Sequence, residues 1–276
     1  MSQQLNLTVI YPGAARDCLL THGELDEASL DTCFRHGAVW LQTSGKPRRL
    51  YDPQRPVKPG HKIHLYCNEF TLQTCPLQPQ LVEDHTSFSV WNKPAGMYSQ
   101  GSKWGDHWTL SRWIALNHWP DRECFITHRL DRYTRGLMIV AHDAACNRSL
   151  HTAFANREIN KTYRAIVRGV VEGEPRTVSL EIDQRAAVTR IIPVQCDRQH
   201  DLSLVELRPE TGRKHQLRVH LAAIGHPVLN DRLHGQPPHD GDLQLQASGL
   251  EFDHPVSGKR LQLKLAERQL LAFESE

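Results

Sequence analysis

One carboxylate stands among cations in the segment His128-Arg-Leu-Asp-Arg132: Asp131, with Arg129, Arg132 and Arg135 around it. A carboxylate placed this way can serve as a nucleophile or a general base. His128 opens the segment and suits a hydrogen-bonding support for the loop. Tyr163 lies in Lys161-Thr-Tyr-Arg-Ala-Ile-Val167, where alternation puts it with Lys161, Ala165 and Val167 on one strand face, toward an interior. Arg218 follows Leu217 in a stretch where Leu217, Leu221 and Ile224 recur at helical spacing. It can therefore reach from a core-facing helix into an enclosed pocket. A second set, His215, His220, His226 and Asp231, has the residue types of a metal-dependent hydrolase. His215 and His220 are five positions apart, however, on different sides of a helix. Paired ligands of a helical zinc site are four apart on one face, so this is the weaker reading.

The elements that must position these groups are legible from pattern. Gly136-Leu-Met-Ile-Val-Ala141 is an unbroken apolar run, predicted as a buried strand directly after the charged loop. Phe88-Ser-Val-Trp91 predicts a strand running into the turn Asn92-Lys-Pro-Ala-Gly96, with Lys93 structural. Leu110 to Asn117 predicts a helix. Asp143 predicts the cap of another, running to about Asn156. Strands are expected over Arg176–Ile182, Ala187–Val194 and Asp201–Leu207, and Gly225 suits the C-terminal cap of the Arg218 helix. A hairpin closes the pattern, Leu243–Phe252 and Arg260–Leu265, around a turn at Asp253–Gly258.

The chain of 276 residues suits a small module followed by a larger domain. Residues 1–75 read as the module, 76–80 as a Pro-rich uncharged linker and 81–276 as the second domain. Hydrophobic residues at 39% and charged residues at 23% indicate a folded protein. Seven cysteines without a C-x-x-C pair argue against a disulfide framework or a zinc ribbon. The start, Met1-Ser-Gln-Gln-Leu-Asn, lacks the pattern of a secretory leader, and no apolar run is long enough for a bilayer. A cytoplasmic protein with no membrane association is expected. Net charge is only +2, but basic residues gather at Arg129/Arg132/Arg135, Arg157/Lys161/Arg164/Arg168 and Arg208/Arg213/Lys214/Arg218. If they share a face, they match a phosphate backbone. Trp104 and Trp108, in a Gly-flanked loop beside Lys103, are of a type that stacks nucleic-acid bases.

In the module, a helix over Leu30–Phe34, a cap at Gly37, a strand at Ala38–Leu41 and Val-Lys-Pro-Gly-His-Lys-Ile-His-Leu65 are similar to the small RNA-binding module of ribosomal protein S-four. Glu24, Asp26, Glu27 and Asp31 make its early helix acidic, a departure from that pattern. Three later segments together resemble the RluA-type pseudouridine synthases. They are H-R-L-D-R-Y-T-R-G-L-M-I-V-A, K-T-Y-R-A-I-V and T-G-R-K-H-Q-L-R-V-H-L-A-A-I-G-H-P-V-L-N-D, with N-K-P-A-G at the opening turn. The ordered set spans roughly residues 81–265.

The resemblance implies an α+β fold with a mixed, mostly antiparallel central sheet, flanking helices and a catalytic cleft, plus a small N-terminal α/β module. It implies isomerisation of uridine to pseudouridine in a structured ribosomal or transfer RNA, by a monomer that needs no cofactor and no metal. Asp131 would be the catalytic aspartate, Arg218 its pairing cation, and Tyr163 the ring packed on the uracil. Arg129 would enter the RNA stack as the base flips, Leu217 would line the pocket, and His128, Arg213 and Lys161 would contribute to substrate binding. Two positions depart from the family pattern: Arg135, usually Ser, and Gln246, usually His. The competing reading is an RNA-binding or RNA-remodelling protein on the same fold, with catalysis secondary or lost.

Overall fold

The computed structural model describes residues 3–273. It divides into two compact units, one comprising the residues up to Leu77 together with Gln100–His118, the other Gln78–Ser99 and the residues from Trp119 onward. Residues 100–118, expected in the second domain, thus pack with the first.

The first unit contains β1 (Gln3–Thr8), β2 (Gly13–Ala14), α1 (Ala15–His22), α2 (Glu27–Arg35), β3 (Val39–Gln42), β4 (Arg48–Arg49), β5 (Pro56–Val57), β6 (Lys62–Cys67), α3 (Glu69–Leu72) and α4 (Leu110–Asn117). Its four-stranded sheet runs β1-β6-β3-β4, all antiparallel, while β2 pairs β5. Lys58-Pro-Gly60 turns between β5 and β6, and β6 alternates buried with less buried residues after that turn. The acids of α2 have local work: Asp26 caps the helix by accepting from the Ser29 N–H, and Glu27 and Asp31 bind Arg16 of α1 at 2.9 and 2.7 Å. Trp104 meets the ring of Tyr66 edge-on and Trp108 packs against Phe70, so both are tied into this unit.

The second unit contains β7 (Gln80–Asp84), β8 (Phe88–Lys93), β9 (Phe125–Ile126), β10 (Arg135–Ala141), α5 (Ala144–Ala155), β11 (Asn160–Arg168), β12 (Arg176–Ile182), β13 (Arg185–Asp197), β14 (Leu202–Pro209), α6 (Gln216–Ala223), β15 (Leu245–Asp253) and β16 (Arg260–Lys264). The sheet follows the order β12-β13-β14-β11-β15-β10-β8-β7, with β16 on β15 and β9 on β10. Every pair is antiparallel except β10 with β15. This is the mixed, mostly antiparallel α+β sheet that the family resemblance implied.

The parallel pair explains a glycine. Gly136 lies opposite Ala247 with φ +114°, and a Cβ there would overlap the Ala247 backbone. Only glycine lets β10 start this close to β15. Ala247 in turn faces Tyr163 across β15 and β11, where the register shifts between Thr162 and Tyr163. The start of β10 and the ring-bearing part of β11 are therefore two strand spacings apart, about 10 Å. Two cores cover the sheet. Phe88, Leu137, Ile139, Leu150 and Phe252 belong to one, with α5 on it; Ala165, Val205, Leu207, Leu217 and Leu221 belong to the other, with α6 on it. Each fully buried side chain of this kind contributes roughly 1.5–3 kcal/mol.

Candidate active site

The loop before β10 is pinned along its length. At Ile139 the short ladder to β9 ends, and side chains complete the pairing: the Thr127 hydroxyl donates to the Ile139 carbonyl at 2.9 Å, and the Ile139 N–H donates to His128 Nε2 at 3.0 Å. The His128 ring stacks on Phe154 of α5. Burial, with Lys161 and His151 adding to it, pulls His128 down to about 3, so it is a neutral acceptor. Two residues on, the Ser99 hydroxyl donates to the Leu130 carbonyl and accepts its N–H, at 2.6 and 3.0 Å. The buried ammonium of Lys93 donates to the carbonyls of Pro94, Met97 and Arg132 at 3.1, 2.9 and 3.2 Å. Burial pulls Lys93 down to about 7, while the charge of Asp131 acts in the opposite direction. Asp131 thus projects from a backbone held on both sides.

Arg218 meets it from α6. The start of that helix is moored by Gln216, whose buried amide makes four hydrogen bonds. Its oxygen accepts from Thr211 Oγ1 and the Arg213 N–H, and its nitrogen donates to the Val188 carbonyl and Thr189 Oγ1, all at 2.7–3.0 Å. Leu217 and Leu221 bury the inner face, and Gly225 takes φ +83° just past the end. Arg218 forks toward two acids. Its Nε and Nη2 donate to Asp231 Oδ2 and Oδ1 at 2.7 and 2.6 Å, and its Nη1 to Asp131 Oδ2 at 3.2 Å. The Asp231 side chain is 0% exposed, that of Arg218 8% and that of Asp131 30%, so Asp131 is the most accessible of the three. Asp231 also accepts the N–H groups of Leu233 and His234. Burial raises it, but Arg218 and those N–H donors outweigh this and leave it below the usual carboxylate range. The pair with Arg218 holds the guanidinium raised despite its burial.

Tyr163 packs against the core that contains Leu217. Burial, then the charge of Asp131, pushes its phenol up, so it stays neutral as an aromatic wall. Arg129 is exposed on the same loop as Asp131. Arg132 lies between the rings of Tyr98 and Tyr133, 4.4 and 5.1 Å from their centroids.

The other residues expected to bind substrate have the following surroundings. Arg213 donates through Nε to the Ala186 carbonyl. Lys161 is partly buried and lowered by that burial, with Arg157 adding to it. His128 is a loop support. The metal-site reading is overturned: Asp231 is taken by Arg218, His215 bonds His234, and His226 bonds the Arg168 carbonyl. No group of three His, Cys, Asp or Glu side chains that could hold a metal forms among the described residues. Gln246 clamps the C-terminal segment, donating to the Gln269 carbonyl at 2.8 Å and accepting the Leu271 N–H at 2.7 Å. Asp231, placed by its residue type with the metal set, is instead the anchor of Arg218, and Gln216, given no role from pattern, is the mooring of α6. The signal for Gln216 was a polar residue directly before the apolar face of a helix.

The site thus combines one accessible acid, a guanidinium shared between that acid and a buried one, and a buried tyrosine near the charge of Asp131. Residues 87–223 match the family described as RNA pseudouridylate synthase, a span that holds all four signature segments apart from the end of the third. The tRNA pseudouridine synthase C of Vibrio parahaemolyticus is 31% identical over 222 residues, 68% of this chain and 90% of that relative. The tRNA pseudouridine synthase C of Pectobacterium carotovorum is 33% identical over 203 residues, 56% of this chain and only 54% of that relative's length. Among solved structures, human RNA pseudouridylate synthase domain containing 1 has the same fold. It aligns with a TM-score of 0.58 at 24% identity, over 70% of this chain and 85% of that one. This chain belongs to the RNA pseudouridylate synthase family, in its RluA-type branch. Its reaction is the isomerisation of uridine to pseudouridine within RNA.

Proposed function

We propose that the substrate is a transfer RNA and that Asp131, Arg218 and Tyr163 carry the reaction. The reaction breaks a nitrogen–carbon glycosidic bond, turns the uracil and remakes a carbon–carbon bond, with no redox step. Asp131 acts on the sugar or the ring, Arg218 balances its charge, and Tyr163 stacks on the base at about 1–3 kcal/mol. The target leaves its stack at a cost of a few kcal/mol, which Arg129 offsets by filling the gap. Leu217 lines the pocket, and Arg213 and Lys161 act on the surrounding phosphates. The observation that carries this reading is the Arg218 fork, which joins the loop acid to α6 across 87 positions of sequence. The names of the Vibrio and Pectobacterium relatives favour transfer RNA.

The enzyme works as a monomer in the cytoplasm, and its seven free thiols suit a reducing compartment. The first unit keeps the S-four-like order of helix, glycine turn and strand, which supports a role as an accessory RNA-binding module. Mapping pseudouridines in total RNA from cells with the protein, without it and with Asp131→Ala tests the proposal. One transfer-RNA site should vanish in both deficient lines. A site lost only from ribosomal RNA would overturn the substrate assignment, and a site retained with Asp131→Ala would overturn the catalytic one.

A further inference from the structure

The reaction as described leaves a histidine pair beside Asp131 without a role. His215 caps α6 in a left-handed backbone conformation, φ +55°. Its Nδ1 lies 3.1 Å from His234 Nε2, and its Nε2 lies 3.9 Å from Asp131 Oδ1. The second distance is a charge–dipole contact, longer than a hydrogen bond. The two oxygens of Asp131 therefore face two different groups: Oδ2 faces Arg218 and Oδ1 faces His215. His234 is held in turn through its backbone N–H on Asp231, the acid that anchors Arg218.

Two neutral imidazoles bonded ring to ring share one proton, and there are two ways to place it. If His215 donates through Nδ1, the bare lone pair of its Nε2 points at a carboxylate, which is repulsive. If His234 donates through Nε2, the proton of His215 sits on Nε2 and faces Oδ1, which is attractive. The charge of Asp131 selects the second arrangement.

We propose that His215 is a positioning residue for Asp131, its Nε2–H facing Oδ1 while Arg218 holds Oδ2, and that His234 sets the tautomer this requires. Two donors on opposite oxygens restrain rotation of the carboxylate and keep its remaining lone pairs directed at the flipped uridine. The groups that face His215 are Asp131, Arg218, His234 and Lys214. Burial lowers His215, Arg218, His234 and Lys214 lower it further and Asp131 opposes them, which is consistent with a neutral His215 at pH 7. The inference rests on Asp131 being the reactive acid.

Long-range proton–nitrogen correlation spectra of the full chain labelled with 15N-histidine read the tautomers directly. His215→Gln and His234→Gln variants assign the signals. Both histidines should show the Nε2–H pattern at pH 7.5, and Asp131→Asn should relax His215 to a mixture. An Nδ1–H pattern for His215 in the unaltered protein overturns the proposal. In single-turnover assays His234→Phe, which cannot donate, should slow conversion about tenfold with RNA affinity unchanged within about threefold. His234→Gln, which can donate, should recover most of the rate. An unaltered rate in His234→Phe, or equal loss in both variants, also overturns it. An active Asp131→Ala enzyme would instead refute the catalytic reading, whatever tautomer His215 adopts.

Discussion

Replacing Asp231 with asparagine probes the anchor of the site without touching Asp131, the proposed catalytic acid. The Asp231 side chain is wholly buried and accepts from Arg218 twice, at 2.7 and 2.6 Å. Asparagine can keep an oxygen at the Oδ1 position, so the bonds from the Arg218 Nη2, Leu233 and His234 donors survive. At the Oδ2 position an amide N–H would face the Nε–H of Arg218, and two donors repel. One charge-assisted bond, ~1.5–3 kcal/mol, is lost, and a buried cation loses its buried counter-charge. Breaking such a pair costs ~3–5 kcal/mol when a partner is removed outright. With three of the four bonds kept, roughly 3 kcal/mol is expected. For a unit of this size that lowers Tm by about 6–12 °C. Arg218, released on one side, shifts toward Asp131, and a displacement of ~1 Å in a positioning group can cost about 100-fold in rate. Thermal denaturation and single-turnover conversion of a transfer RNA check both numbers, with RNA affinity held within about threefold. A variant that keeps its rate within twofold would refute the idea that Asp231 positions Arg218.

Acid should reveal His128. Its value of about 3 in the folded state lies below that of the unfolded chain. Stability from a neutral His128 is therefore complete above about pH 6.5 and is lost as pH falls toward 3. His128→Gln should flatten this part of a denaturant-midpoint against pH profile, and an unchanged slope would show that other groups dominate. Gln246→Leu removes both bonds to the C-terminal segment and should destabilise by ~1–3 kcal/mol while conversion stays within about threefold, as judged by urea unfolding alongside the rate. Gly136→Ala forces a Cβ into the Ala247 backbone at a positive φ. Loss of more than about 3 kcal/mol is expected, and a fully stable variant would contradict the close approach of β10 and β15.

Much was determined locally and could be read from residue order. The helix Leu110–Asn117 has the expected bounds, and Asp143 caps α5 because its side chain reaches the Cys146 N–H three residues on. The strand Arg176–Ile182 also has the expected bounds. The apolar run before His142 forms a strand in which every residue from Gly136 to Ala141 is buried. These outcomes depend on contacts a few residues apart, which sequence pattern records. Asp131 and Arg218 were legible as chemical types, and the family motifs supplied their pairing. Only the tertiary structure decided what holds them. The parallel contact at Gly136 and Ala247, the amide of Gln216 on β13 and the grip of Asp231 on Arg218 all join segments by burial and hydrogen-bond geometry. Such partners leave no periodic trace along the chain. The placement of residues 100–118 with the first unit has the same origin, since chain adjacency gives no measure of which surfaces bury each other.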